Sequence, residues 1–157
     1  MESVKGELVQ QMDECFYNGA FRSVKWHIAY YWDIKKAVTD RRLELKKRSG
    51  TAERRSEGFI SNPTEKEAEI NLSKLPCVYL SLGKVEKPEE WLEAIDYVMD
   101  RLGREDRKLI HASFWGHNNW RAAVTELSMD KMTYYKRRDH LIAVFAIHCA
   151  ERGLIHI

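Results

Sequence analysis

The chain predicts an all-α fold: an N-terminal helical hairpin followed by a C-terminal helical domain that contains a helix-turn-helix. Three observations carry this expectation. Apolar residues recur at spacings of three and four along most of the sequence. Strict alternation of apolar and polar residues is scarce, and 3 prolines and 8 glycines in 157 residues leave little of the punctuation an all-β fold needs. An apolar content of 44% is that of a folded chain with a core, and the length suits one domain, or one small domain plus an extension. The expected division is residues 1–49 for the hairpin, 50–62 for a linker, and 63–157 for a DNA-binding domain with its helix-turn-helix at about 119–150.

Taken in order, Val4, Leu8, Met12, Cys15 and Phe16 form one helical stripe, and Asn18 with Gly19 supplies a C-cap. A second helix begins near Phe21 or Ser23, with Val24, Ile28, Tyr31, Ile34, Val38 and Leu45 as its stripe. Trp26, Tyr30, Tyr31 and Trp32 crowd this helix, either packed within the chain or as a self-association surface. Residues 50–62 are rich in Gly, Ser, Thr and charge and read as a linker. Pro63 at a first helical position, followed by Glu65, Glu67 and Glu69, starts another helix. Pro76 must interrupt or kink it, and residues 77–82 read as its continuation, although this short run also fits an extended segment.

Pro88 opens a helix whose core face is Trp91, Leu92, Ile95, Val98, Met99 and Leu102, ended by Gly103. Residues 105–115 form the next, burying Leu109, Ile110 and Phe114. Asn119 then caps a helix with Trp120, Ala123, Val124 and Leu127 on one face. Ser128 and Met129 make a tight turn, and Asp130 caps a second helix, where its carboxylate complements the dipole. Tyr134, Leu141, Phe145 and Ala146 face inward, with Ile142 beside them. Lys131, Met132, Thr133, Tyr135, Lys136 and Arg138 are expected to point outward. In a DNA-reading helix-turn-helix the start of the second helix enters the major groove, so donors belong there. The plainer alternative, a solvated basic face on an ordinary helical hairpin, uses no different residues.

Residues 107–115, then Asn119, Trp120 and Arg121, then residues 127–138 with Thr133, Tyr134, Tyr135 and Lys136 in sequence, resemble the C-terminal domain of phage late-gene transcriptional regulators of the RinA/ArpU type. Those domains are similar to region 4 of sigma factors, and the resemblance spans roughly residues 84–157. It implies a double-stranded DNA target, late-gene activation and the cytoplasm of a bacterial host. The chain departs from the family pattern at Arg137, where an apolar residue is usual, at Ser128, where a small residue, often Gly, is usual, and in a longer loop at residues 116–119.

The site expected on this reading places Lys131, Met132, Thr133, Tyr135 and Lys136 against base edges or adjacent phosphates. Arg138 and His140 would reach the backbone, while Asn119 and Arg121 anchor the first helix to phosphate. A net charge of only +2 means that any affinity for DNA must come from how charge is distributed. Residues 35–55 are basic, with Lys35, Lys36, Arg41, Arg42, Lys46, Lys47, Arg48, Arg54 and Arg55 against Asp40, Glu44 and Glu53. Residues 86–106 are acidic and suit a protein partner such as RNA polymerase.

No catalytic motif assembles from this sequence, so a non-enzyme without cofactor or metal is expected. The His spacings match no metal motif, and Glu89, Glu90, Glu105 and Asp106 sit at helix starts, where the dipole accounts for them. Cys15, Cys77 and Cys149 lack zinc-ligand spacing and read as small apolar fillers in a reducing compartment. No apolar run approaches the roughly 20 residues that span a bilayer, and no signal-peptide pattern appears after Met1, so neither export nor membrane insertion is expected. Two other functions fit the same residues: a homo-oligomeric small-terminase-type subunit built on the aromatic helix, and a sigma-like protein-interaction module that does not bind DNA.

Overall fold

A computed structural model describes residues 19–53, 73–116 and 119–156. The expected first helix at Val4 to Phe16, the helix opened by Pro63 and most of the expected linker lie outside these residues. The fold is mostly helical, with six α-helices and one short two-stranded sheet among the described residues. The described residues fall into two compact units, one of the chain up to Tyr30 together with residues from Glu93 onward, the other of Tyr31–Leu92.

In the first unit, α1 (Ala20–Ala29) buries Val24 and Ile28, the start of the expected stripe, and Phe21 with them. The single long helix expected here is instead two helices that meet at Tyr30, where φ −95° and ψ 14° leave the helical range. Three consecutive aromatics, Tyr30, Tyr31 and Trp32, occupy the break; their restricted χ1 freedom makes this the weakest helical stretch of the segment. From Glu93, the body of α3 (Pro88–Arg101) buries Ala94, Ile95 and Val98. Its C-terminal carbonyls are capped by Arg107, which donates to the Met99 and Asp100 oxygens at 2.8 and 2.9 Å.

The helix expected over residues 105–115 is α4 (Arg104–Ile110) running into a π-helical turn, His111–Gly116. A Cβ at Gly116 would lie 3.2 Å from the His111 carbonyl oxygen, so glycine is what the wider turn accommodates there. Next come α5 (Trp120–Leu127) and α6 (Lys131–Glu151). α1 packs against α6 and the π turn, and α5 packs on both as well. Trp115 donates from Nε1 to the Ile28 carbonyl oxygen at 2.8 Å, tying the π turn to the end of α1. Ile28, Leu109, Ile110, Ile142 and Phe145 are fully buried, and each side chain of this kind contributes about 1.5–3 kcal/mol by leaving water. Cys149 is buried among them, its thiol pushed up to about 12 by burial.

In the second unit, α2 (Tyr31–Glu53) buries Tyr31, Ile34 and Val38, while Trp32 is 52% exposed. Its backbone stays helical through Gly50 to Glu53, so the start of the expected linker is helix instead. Residues 77–82 are not helical either. They belong to a hairpin of β1 (Cys77–Leu80) and β2 (Gly83–Glu86), antiparallel, with Val78 opposite Val85 and Tyr79 opposite Lys84. Val78 and Val85 are buried and Tyr79 and Lys84 exposed, the period of two that a half-buried sheet requires. A four-residue run is too short for periodicity to separate strand from helix, and Pro76, which denies a helix its hydrogen bond, is harmless just before a strand. Gly83 takes φ +144°, a conformation that L side chains rarely adopt, at the end of the two-residue turn. β1 lies against α2, and Glu89 ties α2 to the segment just before β1 by accepting from Arg42 and, at 3.0 Å, from the Leu75 backbone N–H. That pairing, added to its place at a helix start, accounts for Glu89. No helix among the described residues is long and apolar enough to cross a membrane.

Candidate nucleic-acid interface

Two capped helices joined by residues 128–130 form the candidate site. Asn119 is extended and its Oδ1 accepts from the Ala122 N–H at 2.9 Å; Asp130 is likewise extended and accepts from the Thr133 N–H at 2.7 Å. Both caps were expected from residue type alone. The hydrogen bonds with Thr133 hold the Asp130 carboxyl below the ordinary carboxylate range, with a smaller contribution from the Lys136 charge. At the other end of α5, Ser128 sits at φ 53° and ψ 42°. Its N–H reaches the Thr125 oxygen at 3.4 Å, and the Met129 N–H reaches the Val124 oxygen at 3.2 Å. This double bond pattern ends α5 abruptly and allows α6 to restart within three residues.

The side chains expected to face DNA divide into three groups. Met132, Thr133, Lys136 and His140 are exposed and, at about 100° per residue, occupy one arc of α6. Arg137 belongs to this arc as well, four residues after Thr133, and is exposed. It is not among the residues expected to face DNA, although its spacing from Thr133 places it on this arc.

Lys131 turns back toward α5, its ammonium 4.4 Å from the Trp120 ring centroid, and the Arg121 guanidinium lies 5.5 Å from the same ring. Trp120 is half-buried, so one indole presents two cations at the joint between the helices. Asn119 and Arg121 are both exposed beside it.

Tyr135 and Arg138 do not point outward as expected. Tyr135 is half-buried, edge-on to Tyr134 with ring centroids 5.2 Å apart. Arg138 stands four residues after Tyr134 and four before Ile142, both buried, and so lies on the core stripe. Its guanidinium centre is 5.2 Å from the Phe114 ring and 6.0 Å from the Tyr135 ring, and its Nε is buried with no hydrogen-bond partner among the described residues. A long stem that packs on apolar surface while carrying a charge explains how an arginine occupies this stripe. Residue type suggested a surface cation; helical spacing decides otherwise.

Two other described histidines pack against aromatic rings. His111 lies edge-on to Trp115, and His148 stacks on Tyr97 with centroids 4.2 Å apart. His148 also accepts from Arg152 Nε at 2.9 Å, and burial together with the Arg152 charge lowers its proton affinity. Among the described residues no group of three or more His, Cys, Asp or Glu side chains could hold a metal ion. In comparison with known proteins, no family model, curated protein or solved structure matches the chain.

Proposed function

We propose that this protein is a sequence-specific DNA-binding transcriptional regulator, without catalytic activity, that lays the first turns of α6 in the major groove. The observation that carries the reading is the exposed arc of Met132, Thr133, Lys136, Arg137 and His140 immediately after a capped three-residue turn. It combines donors suited to base edges and phosphate with one apolar side chain, Met132, 69% exposed, that suits a thymine methyl group. Of the four Lys or Arg between residues 131 and 140, Lys136 and Arg137 lie on this arc, so the face carries positive charge although the chain is nearly neutral. The motif resemblance to phage late-gene regulators extends the proposal to activation in a bacterial host, with the acidic residues 86–106 meeting RNA polymerase.

Lys131 and Lys136 separate the parts of this reading. Selection of bound sites from random duplex DNA should recover a defined motif. On that motif Lys136→Ala, a base contact, should cost about 1–3 kcal/mol and relax preference at one base pair. Lys131→Ala, a phosphate contact held by Trp120, should weaken all sequences alike and flatten the salt dependence. Failure of the wild-type chain to bind any duplex at low salt would sink the proposal.

A further inference from the structure

We propose that the outer edge of β1 and the facing side of α2 form a groove that binds an extended, cationic segment of a protein partner, taken up as an added β-strand. The site lies wholly within the unit Tyr31–Leu92 and does not depend on what α6 contacts.

The hydrogen-bond parity of the hairpin defines the edge. In an antiparallel pair every second residue exchanges its backbone bonds with the opposite strand, and the residues between turn theirs outward. The two-residue turn makes Leu80 and Gly83 the closing pair, and the Lys87 N–H donates to the Pro76 oxygen at 3.0 Å, which fixes the same parity at the other end. The N–H and C=O groups of Cys77 and Tyr79 therefore point away from β2. Among the described residues nothing bonds these groups. An unpaired edge of this kind is a template for another strand.

A groove of about 750 Å³ lies beside that edge. Residues 77–79, from both faces of β1, line it and no residue of β2 does, so it occupies the side of β1 away from β2. α2 forms the other wall, apolar at Ala37 and Leu45 and charged at Asp40. Arg41 on this wall is engaged by Glu44 at 3.0 Å, whereas among the described residues no cation pairs with Asp40.

This chemistry selects the occupant. The outward groups of Cys77 and Tyr79 match another backbone, and Ala37 with Leu45 offers an apolar seat for a side chain directed at α2. Asp40 attracts a Lys or Arg on the same face of the incoming strand, two residues from the apolar one.

Selection of a displayed random octapeptide library on the full chain should enrich an apolar residue and a Lys or Arg two positions apart. Selection on Asp40→Lys should replace that cation with Asp or Glu; Asp40 is exposed on a helix, where lysine is well tolerated, so the variant keeps its fold. The best wild-type peptide is then titrated into isotope-labelled protein beside a form N-methylated at the amides that would pair with β1. The unmethylated peptide should slow amide exchange at Cys77 and Tyr79 and bind about tenfold more tightly than the methylated form.

Absence of enrichment, or the same enriched motif on wild type and Asp40→Lys, overturns the proposal. Equal affinity of the two peptide forms overturns it as well, since the groove would then be filled without strand pairing. Slow exchange at Cys77 and Tyr79 before any peptide is added shows the edge already covered. Protection that rises with protein concentration, alongside a dimer in sedimentation, assigns the edge to a second copy; protection independent of concentration assigns it to the chain itself. Either result overturns the partner site.

Discussion

Tyr134 donates its hydroxyl to Ser113 Oγ at 2.9 Å, so the fourth residue of α6 is fixed to the π turn rather than only to its own helix. Tyr134 is 2% exposed, and the bond sets the height at which the first turn of α6 stands above the core. Tyr134→Phe keeps the ring and removes one hydrogen bond, so chemical unfolding should report a loss of about 1 kcal/mol. Stability equal to wild type would show that water serves Ser113 equally well.

The turn before α6 carries a removable strain. Ser128 is held at φ 53°, where the serine Cβ crowds the following carbonyl, and glycine occupies that region without cost. Ser128→Gly should therefore stabilise the chain by about 0.5–1 kcal/mol, because the gain at a left-handed position exceeds glycine's greater chain entropy. Urea midpoints compared at one pH check this, and a lowered midpoint would mean that the serine hydroxyl does more than fill the turn.

These two helices were legible in the sequence because their signals are local: Asn119 and Asp130 announce caps, and Leu141, Phe145 and Ala146 repeat at helical spacing. The hairpin of β1 and β2 was not, since four residues of Cys77, Val78, Tyr79 and Leu80 carry too short a period and the decisive contact is with α2, far along the chain. No local signal encodes the π turn, whose shape is tied to the distant Ile28 carbonyl that Trp115 reaches. Arg138 was misplaced for a different reason. Charge suggested the surface, whereas its spacing from Tyr134 and Ile142 put it on the buried stripe.

His27 makes stability depend on pH with a definite sign. Burial holds its imidazole at about 4, well below the ordinary 6.5, against a 2.6 Å hydrogen bond from Nδ1 to the Ser23 carbonyl oxygen that favours the charged form. Between those values the unfolded chain takes up a proton that the folded chain refuses. Stability is thus complete above about pH 6.5, falls as the pH drops, and levels off below about 4, for a loss of about 3 kcal/mol. Urea unfolding of wild type and His27→Gln at pH 7 and pH 4 isolates the contribution; an equal acid loss in both proteins would remove His27 as its source.

Arg138 is expected to cost stability where it stands. Its cation–π contacts with Phe114 and Tyr135, at 5.2 and 6.0 Å, return about 0.5–1 kcal/mol. The buried Nε without an acceptor costs about 1–3 kcal/mol, and repulsion from Lys25 adds to that. Arg138→Met preserves an unbranched stem of good helix propensity on the same stripe and removes both penalties. The variant should unfold at a urea concentration equal to or higher than wild type, with a gain of about 1 kcal/mol. It should also let the Lys25 ammonium titrate closer to the ordinary lysine range, which lysine side-chain NMR can follow. A variant less stable than wild type by more than about 1 kcal/mol would reverse the assignment, making the guanidinium a structural anchor whose packing on Phe114 outweighs its orphaned donor.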